Sequence, residues 1–482
     1  MTNPVVSAPD KSGAYRFQEE TLFVPKRPRL MWREVEPGAG TAPAGVAEAG
    51  ARAPAPPRLP RFTQLPSVAD AITPVEDAIG LLQIAAEVEH ALLVQYLYAN
   101  ASVVRSTGGM SVSGTIRTIA VEEMGHLIAV QNLLLAIGGR EAHHFGRDVS
   151  NPEFVPVPFV LEPLDRLSAA KYVVVERPKH IDDAAVLARV DALEEEVRIA
   201  TGFDPNRVGA LYAAIYWLLQ PSDVPFGPEP FTVADGFRPG WHVRPGDFQP
   251  VSEIVAFATT VDEWRNFPGL IAAVVTDALT ACETVQEIMA QGEGVSASDD
   301  SHFEEFLAVL DAVEAGRVTV APLPRSPFVQ GQPAPGDPRA VQLTHPYTTA
   351  WGELLNLVYT HVVGCIGNAL ARPFGDEARA ELLDIALTAM RPVLTLLTRQ
   401  IVKLPIADAP GAPPAGPTFG LLREDWPVDA AAFEVVHRYL LAAEDGAIAA
   451  IQARPEHATD AQGRVAVDAV KKLQDRIRLL LH

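Results

Sequence analysis

Two acidic residues and a histidine interrupt apolar helical stripes in this chain, and a buried carboxylate there has to be paired, protonated or bound to a cation. In the segment Glu87–Tyr98 (EVEHALLVQYLY), helical spacing puts Leu82, Ala85, Glu89, Leu93 and Tyr96 on one face, with Glu89 in the middle of the stripe. In the segment Ile116–Leu134 (IRTIAVEEMGHLIAVQNLL), the stripe runs through Ile116, Ile119, Ala120, Leu127, Val130 and Leu134, and contains Glu123 and His126. These two are three residues apart, so both side chains reach one ion. Glutamate supplies a hard oxygen able to bridge two metals, and imidazole suits iron, zinc or copper. Glu-x-x-His on a bundle helix is a recurring ligand unit of dinuclear carboxylate sites. The plainer reading is a buried Glu–His ion pair joining two helices.

Neighbouring groups are weaker candidates. Glu87 and His90 repeat the Glu-x-x-His spacing but point about 160° and about 100° away from Glu89, so they are expected to brace the helices. Glu122 adjoins the motif and points toward Thr118 and Ala129. Tyr96, two turns beyond Glu89, is a site tyrosine or a core residue; spacing leaves both open. A bundle site also needs ligands from a second helix pair, where Glu283, Glu287, Glu293, Asp299, His302 and Glu305 are available. His302 opens an amphipathic helix (SHFEEFLAVL), where a histidine is more often a cap.

These residues have to be placed by helices. Apolar periodicity predicts helices at Asp77–Ala101 and Thr115–Ile137, the second stopped by Gly138-Gly139. Further helices are expected at Asp182–Arg198, Val208–Leu219, Phe267–Ala290 and Ser301–Glu314, then at Tyr347–Ala371, Glu377–Lys403, Ala430–Ile451 and Val465–Leu481. Residues 37–60 are rich in Pro, Ala and Gly, with a possible docked strand at Thr21–Trp32 before them. Asn151–Pro163 is expected as strand or extended coil. Residues 220–252 are expected as a long loop or small sheet, either a lid over a pocket or a packing insert. The division that follows is an extended arm or linker at 1–66, a metal-binding bundle at 67–320 and a C-terminal helical unit at 339–482.

Composition narrows the function. The chain has 482 residues and a formal charge of −21, which argues against nucleic acid and anionic membranes as partners. There are 2 cysteines, Cys282 and Cys365, too few for a cysteine-rich zinc site or an iron–sulfur cluster. No stretch of about 18 apolar residues and no signal segment is evident. A soluble, cytoplasmic protein is expected, monomeric or homodimeric.

The helix pair AEVEHALLVQYLYA and IAVEEMGHLIAVQNLLLAIGG resembles the ferritin-like domain of bacterial VioB-type proteins. So do IMAQGEG followed by SHFEEF, VGALYAAI, LNLVYTHVV, and AMRPVLTLLTRQIVKLP followed by AGPTF, together spanning roughly residues 70–425. That family includes the iminophenyl-pyruvate dimer synthases of violacein, rebeccamycin and staurosporine biosynthesis. The resemblance implies a mainly α fold: a ferritin-like four-helix bundle with Pro-rich inserts and additional C-terminal helices. It favours Glu89, Glu123, His126, Glu293 and His302 as metal ligands and sets aside Glu283, Glu287 and Glu305. Characterised members carry a large additional N-terminal region, so a fold and a metal site are implied before a particular reaction. The function expected is an iron-dependent oxidative enzyme of secondary metabolism. Glu89 and Glu123 would bridge two irons, O2 or peroxide would be the oxidant, and the substrate a small amino-acid-derived molecule. The alternative is a non-enzymatic iron-binding or scaffold protein.

Overall fold

The computed structural model describes residues 30–34, 64–147, 158–178, 181–203, 205–227, 231–292, 301–331, 337–423 and 425–481. Strand β1 (Leu30–Glu34) pairs antiparallel with β2 (Gln64–Val68). The rest of the expected N-terminal arm lies outside the described residues. Helix α1 (Pro74–Ser102) starts at a capping box: Thr73 accepts from the Glu76 N–H, Glu76 reaches back, and Pro74 occupies the first turn. Strand β3 (Val103–Ser106) leads to α2 (Val112–Gly138), which ends where Gly139 takes φ +69°.

The sequence reading passed over α3 (Arg166–Val175), whose start is set by a reciprocal Asp165–Ser168 capping box. Then come α4 (Ala184–Thr201) and α5 (Val208–Leu219). The described residues of 220–250 form no sheet; they are coil with short 3-10 turns, leading to α6 (Val251–Phe257). Helix α7 (Ala278–Gly292) is shorter than expected, because residues 267–277 are not helical. Pro268 removes a helical donor, Gly269 adopts φ +82°, and the next residues cross α2 as a strap. Helix α8 (His302–Glu314) is followed by β4 (Val318–Val320), which pairs antiparallel with β3 and ties the end of α8 to the end of α1.

Helix α1 packs along α2, and α3 along α8. With α2 touching α8 these four make the bundle, and α5 and α7 close its remaining side. The C-terminal helices are α9 (Pro346–Leu370), α10 (Glu377–Thr388), α11 (Leu394–Ile401), α12 (Ala430–Gln452), α13 (Pro455–Thr459) and α14 (Ala461–Leu480). A π turn at Ala389–Val393, where Pro392 cannot donate, joins α10 to α11 without a break, so the helical run follows the single helix expected at Glu377–Lys403.

Two apolar cores result, and α1 and α2 serve both. Leu92, Tyr96, Leu127 and Val130 face the bundle core, while Val94, Tyr98, Met124 and Ile128 belong to the core built by α9–α12 and α14. Double-sided packing makes α2 apolar nearly all round. By length and composition it is apolar enough to cross a membrane, which the sequence reading had missed, yet 83% of that stretch is buried inside the protein. The bundle interior is where its carboxylates and imidazoles point.

Candidate metal centre

Five acidic and imidazole side chains converge between α1, α2, α3 and α8. Glu89 comes from the fifth turn of α1, Glu123 and His126 from α2, Glu176 from the C-cap of α3, and His302 from the first turn of α8 behind its Ser301 cap. All five are buried. Glu123 lies in the middle. Its Oε2 is 3.3 Å from His126 Nδ1, and its Oε1 is 3.1 Å from His302 Nδ1. Glu89 Oε2 stands 3.3 Å from His126 Nδ1, and Glu176 Oε2 4.0 Å from His302 Nδ1. The arrangement is nearly symmetric: one His and one outer carboxylate on each side of a shared one.

Each imidazole is held from behind. His126 Nε2 is 3.0 Å from Gln291 Oε1, and the Gln291 amide is oriented because its own Nε2 donates to the Gly269 carbonyl at 2.8 Å. His302 Nε2 is 3.1 Å from Glu122 Oε2. Both outer partners accept a ring N–H, which aims both Nδ1 atoms into the centre. Outer acceptors of this kind set the tautomer of metal-ligating histidines. The outer carboxylates are held likewise: Tyr212 O–H donates to Glu89 Oε1, and Tyr96 O–H donates to Glu176 Oε1 at 2.5 Å.

Electrostatics follow from packing three carboxyls into a dry space. Burial, then the Glu123 charge, pushes Glu89 up to about 8. The same two causes push Glu176 up to about 7. Burial alone would raise Glu123 as well; the Glu89 hydrogen bond and the His302 charge overcome it and hold Glu123 well below the usual range. Burial would lower His126, but hydrogen bonds to Glu123 and Glu89 carry it up to about 10, and His302 is likewise raised, chiefly by the Glu123 charge. Protons therefore do the work of neutralisation in the metal-free chain.

The donors fit a cation better than they fit one another. Glu123 Oε1 and His302 Nδ1 are buried, face each other, and neither makes a hydrogen bond. Buried polar atoms with no hydrogen-bond partner are costly unless a cation takes them up. Glu123, His126 and His302 each offer an atom within 4.8 Å of the others. The adjoining void is about 10 Å³, room for one water-sized molecule, walled by Leu92, Val208, Ile288 and Met289 opposite the carboxylates.

Four residues expected from the sequence meet here: Glu89, Glu123, His126 and His302. Glu293 and Asp299 lie outside the described residues. Tyr96 does not line the void; it acts through Glu176, its ring set against Tyr172 and Phe306. Glu283 and Glu287 are exposed. Glu87 and His90 turn away, to His144 and to Gly146 O and Tyr359. Sequence reasoning missed Glu176, Tyr212 and Gln291; Glu122, expected beside the motif and not as a ligand, reaches His302 from behind. Among the described residues, the 220–250 insert contributes none to the void. Its Trp241 donates to Asp77, twelve residues before Glu89 and roughly 18 Å away along α1. The 267–276 strap does not line the void either; it is seated on α2 where Gly125 has no side chain, is pinned by Asn132 donating to Ala273 O at 2.7 Å, and its Gly269 carbonyl holds Gln291 behind His126.

This fold and this donor set define a ferritin-like protein, and residues 82–311 match the family model described as ferritin-like. The chain is 26% identical over 396 residues to dichlorochromopyrrolate synthase from Lentzea aerocolonigenes, a match covering 72% of this chain and 36% of that protein. It thus spans about a third of the length of that relative. Together with the quoted motifs, these matches support the likeness to the VioB-type ferritin-like family. A ferritin-like protein from Caulobacter vibrioides aligns at 16% identity and a TM-score of 0.31, over 67% of this chain and 91% of that one.

Proposed function

We propose that the chain is an iron-dependent oxidative enzyme of secondary metabolism, acting in the cytoplasm on a small amino-acid-derived molecule. The observation that carries this reading is Glu123, with one carboxylate oxygen turned to each of two imidazole Nδ1 atoms. Such a carboxylate suits a bridge between two metals, with His126 and Glu89 serving one and His302 and Glu176 the other. The earlier expectation of two bridging carboxylates is thereby revised: Glu89 sits beside His126, at one side. Bound iron would supply one-electron redox chemistry toward O2 or peroxide as oxidant, the substrate being the reductant.

The chain's own residues do the rest. Tyr212 and Tyr96 orient the outer carboxylates. Gln291 and Glu122 accept from the Nε2–H of each imidazole, so that Nδ1 is the nitrogen that would face the metal once its proton is displaced. Leu92, Val208, Ile288 and Met289 exclude bulk water. Glu89 and Glu176, with raised proton affinity, are suited to hold and release protons near neutral pH. The void beside the centre has room for one water-sized molecule. The relative's name, a synthase, supports a biosynthetic role. Buried free Cys282 and Cys365 fit a reducing compartment.

Metal analysis of the purified chain beside a Glu123→Ala/His126→Ala variant tests this reading. About two irons per chain, lost in the variant, are expected for a site of this class. O2 uptake should then be screened with small aromatic amino-acid-derived imines and amines. Absence of iron after anaerobic loading with ferrous ion overturns the reading. Iron bound with no turnover of any such substrate favours a non-enzymatic iron protein.

A further inference from the structure

A second group of metal-type donors lies in the C-terminal unit and shares no residue with the centre described above. His361 and Cys365 are one turn apart on α9, and His437 faces them from α12. His361 Nε2 is 2.9 Å from His437 Nδ1, and the two rings stack at 5.0 Å and 28°. One atom from each of His361, Cys365 and His437 lies within 4.8 Å of the others. Behind them, Glu444 Oε1 is 2.8 Å from His361 Nδ1, Gln474 donates to Glu444 Oε2 at 3.1 Å, and Asn368 stands 3.0 Å from His437 Nε2. His361 and Cys365 are 1% exposed, His437 and Glu444 0%.

Hydrogen bonds alone account for part of this. With neutral imidazoles, Glu444 accepts from His361, which accepts from His437, which accepts from Asn368. The carboxylate charge then stays buried between two neutral partners, His361 and Gln474, an expensive arrangement for a helix interface that apolar side chains would fill at lower cost. The thiol of Cys365, beside two imidazoles, has no part in that chain.

We propose that His361 Nε2, His437 Nδ1 and Cys365 Sγ hold one divalent cation of the zinc class, with Glu444 orienting His361. Thiolate with imidazole is the ligand chemistry that selects such a cation. A dipositive ion, one thiolate and the Glu444 carboxylate sum to zero charge. A carboxylate behind a ligating histidine is the usual support for zinc. Zn–N bonds of about 2.0–2.1 Å at a tetrahedral angle set the two nitrogens about 3.3 Å apart, so the rings have to separate by only a few tenths of an ångström. The ion cross-braces α9 and α12, and its binding also releases the thiol proton.

Cobalt(II) reports on this site alone, because a thiolate-to-cobalt charge-transfer band requires sulfur and the bundle centre has only oxygen and nitrogen donors. The full chain is produced in cobalt-supplied, zinc-depleted medium, and as wild type, Glu123→Ala/His126→Ala, Cys365→Ser, Cys365→Ala and His437→Leu. The expected result is a thiolate–cobalt band in the wild type, of intensity about one per chain. It persists in the Glu123→Ala/His126→Ala variant even if the bundle binds no iron, and is lost in the Cys365 and His437 variants. Growth in zinc gives a native mass increased by one zinc, with the same pattern. Absence of the band and of zinc from the folded wild type overturns the proposal, whether or not any variant folds. Persistence of the band in Cys365→Ala overturns it as well.

Discussion

Of the five converging donors, Glu176 is the one whose role rests on the tertiary structure alone, and it offers the most direct test of the centre. Glu176→Ala removes the outer carboxylate on the His302 side, and we expect iron to fall from about two per chain to about one; unchanged iron content by metal analysis would remove Glu176 from the ligand set. Gln291→Ala frees His126 to rotate and to change tautomer, with an expected loss of iron affinity of roughly 10–100-fold, read by competition with a chelator. A third expectation concerns protons. In the metal-free chain Glu89 is raised to about 8 and His126 to about 10, so both are mostly protonated at neutral pH. A cation binds their deprotonated forms, so binding displaces protons and ferrous affinity rises as pH increases from about 6 to 8. Calorimetry in buffers of different ionisation enthalpy checks this; a heat independent of buffer would contradict it. Glu89, Glu123 and His126 were legible in the sequence because each interrupts an apolar stripe. Glu176 was not, because it follows the run YVVVE at the end of a helix whose β-branched residues carry no helical period.

At the scale of elements, two features position the donors and can be broken singly. The Asp165–Ser168 capping box sets where α3 begins, and hence where Glu176 falls at its end. Asp165→Ala should cost about 1 kcal/mol. Gly125 lets the strap lie on α2: a Cβ there would stand 2.9 Å from the backbone nitrogen of Ile271, which cannot yield as a side chain can. Gly125→Ala should therefore destabilise the protein by about 1–3 kcal/mol. Because the strap's Gly269 carbonyl anchors Gln291, the substitution should also weaken iron binding. Denaturant unfolding and metal analysis together check this, and a variant as stable as wild type would show that the strap is loosely seated. Helices α1, α2, α5 and α8 were predictable to within a few residues, since period and caps agree there. The overextended α7 shows the limit: an apolar run containing Pro268 and Gly269 has helical composition but serves as a crossing strap.

At the scale of the whole molecule, the two cores meet on α1 and α2. Tyr98 donates to the Pro324 carbonyl and packs in the C-terminal core, two residues from Tyr96 at the metal centre. The boundary expected between residues 320 and 339 is a boundary of sequence, and we expect one cooperative thermal transition for both units. Two well-separated calorimetric transitions would show independent domains instead. What the sequence by itself determined is the class of fold, most helix positions and one side of the centre, because period, caps and misplaced polar residues are local properties of a chain. What only the tertiary structure decided is the other side. Glu176, Tyr212 and Gln291 acquire meaning from partners 80 to 165 residues distant in Tyr96, Glu89 and His126. The same holds for His361, Cys365 and His437, on two helices of the C-terminal unit. Convergence of donors is a property of packing, since burial takes away water as a partner and leaves each polar atom to be satisfied by whatever the fold brings against it.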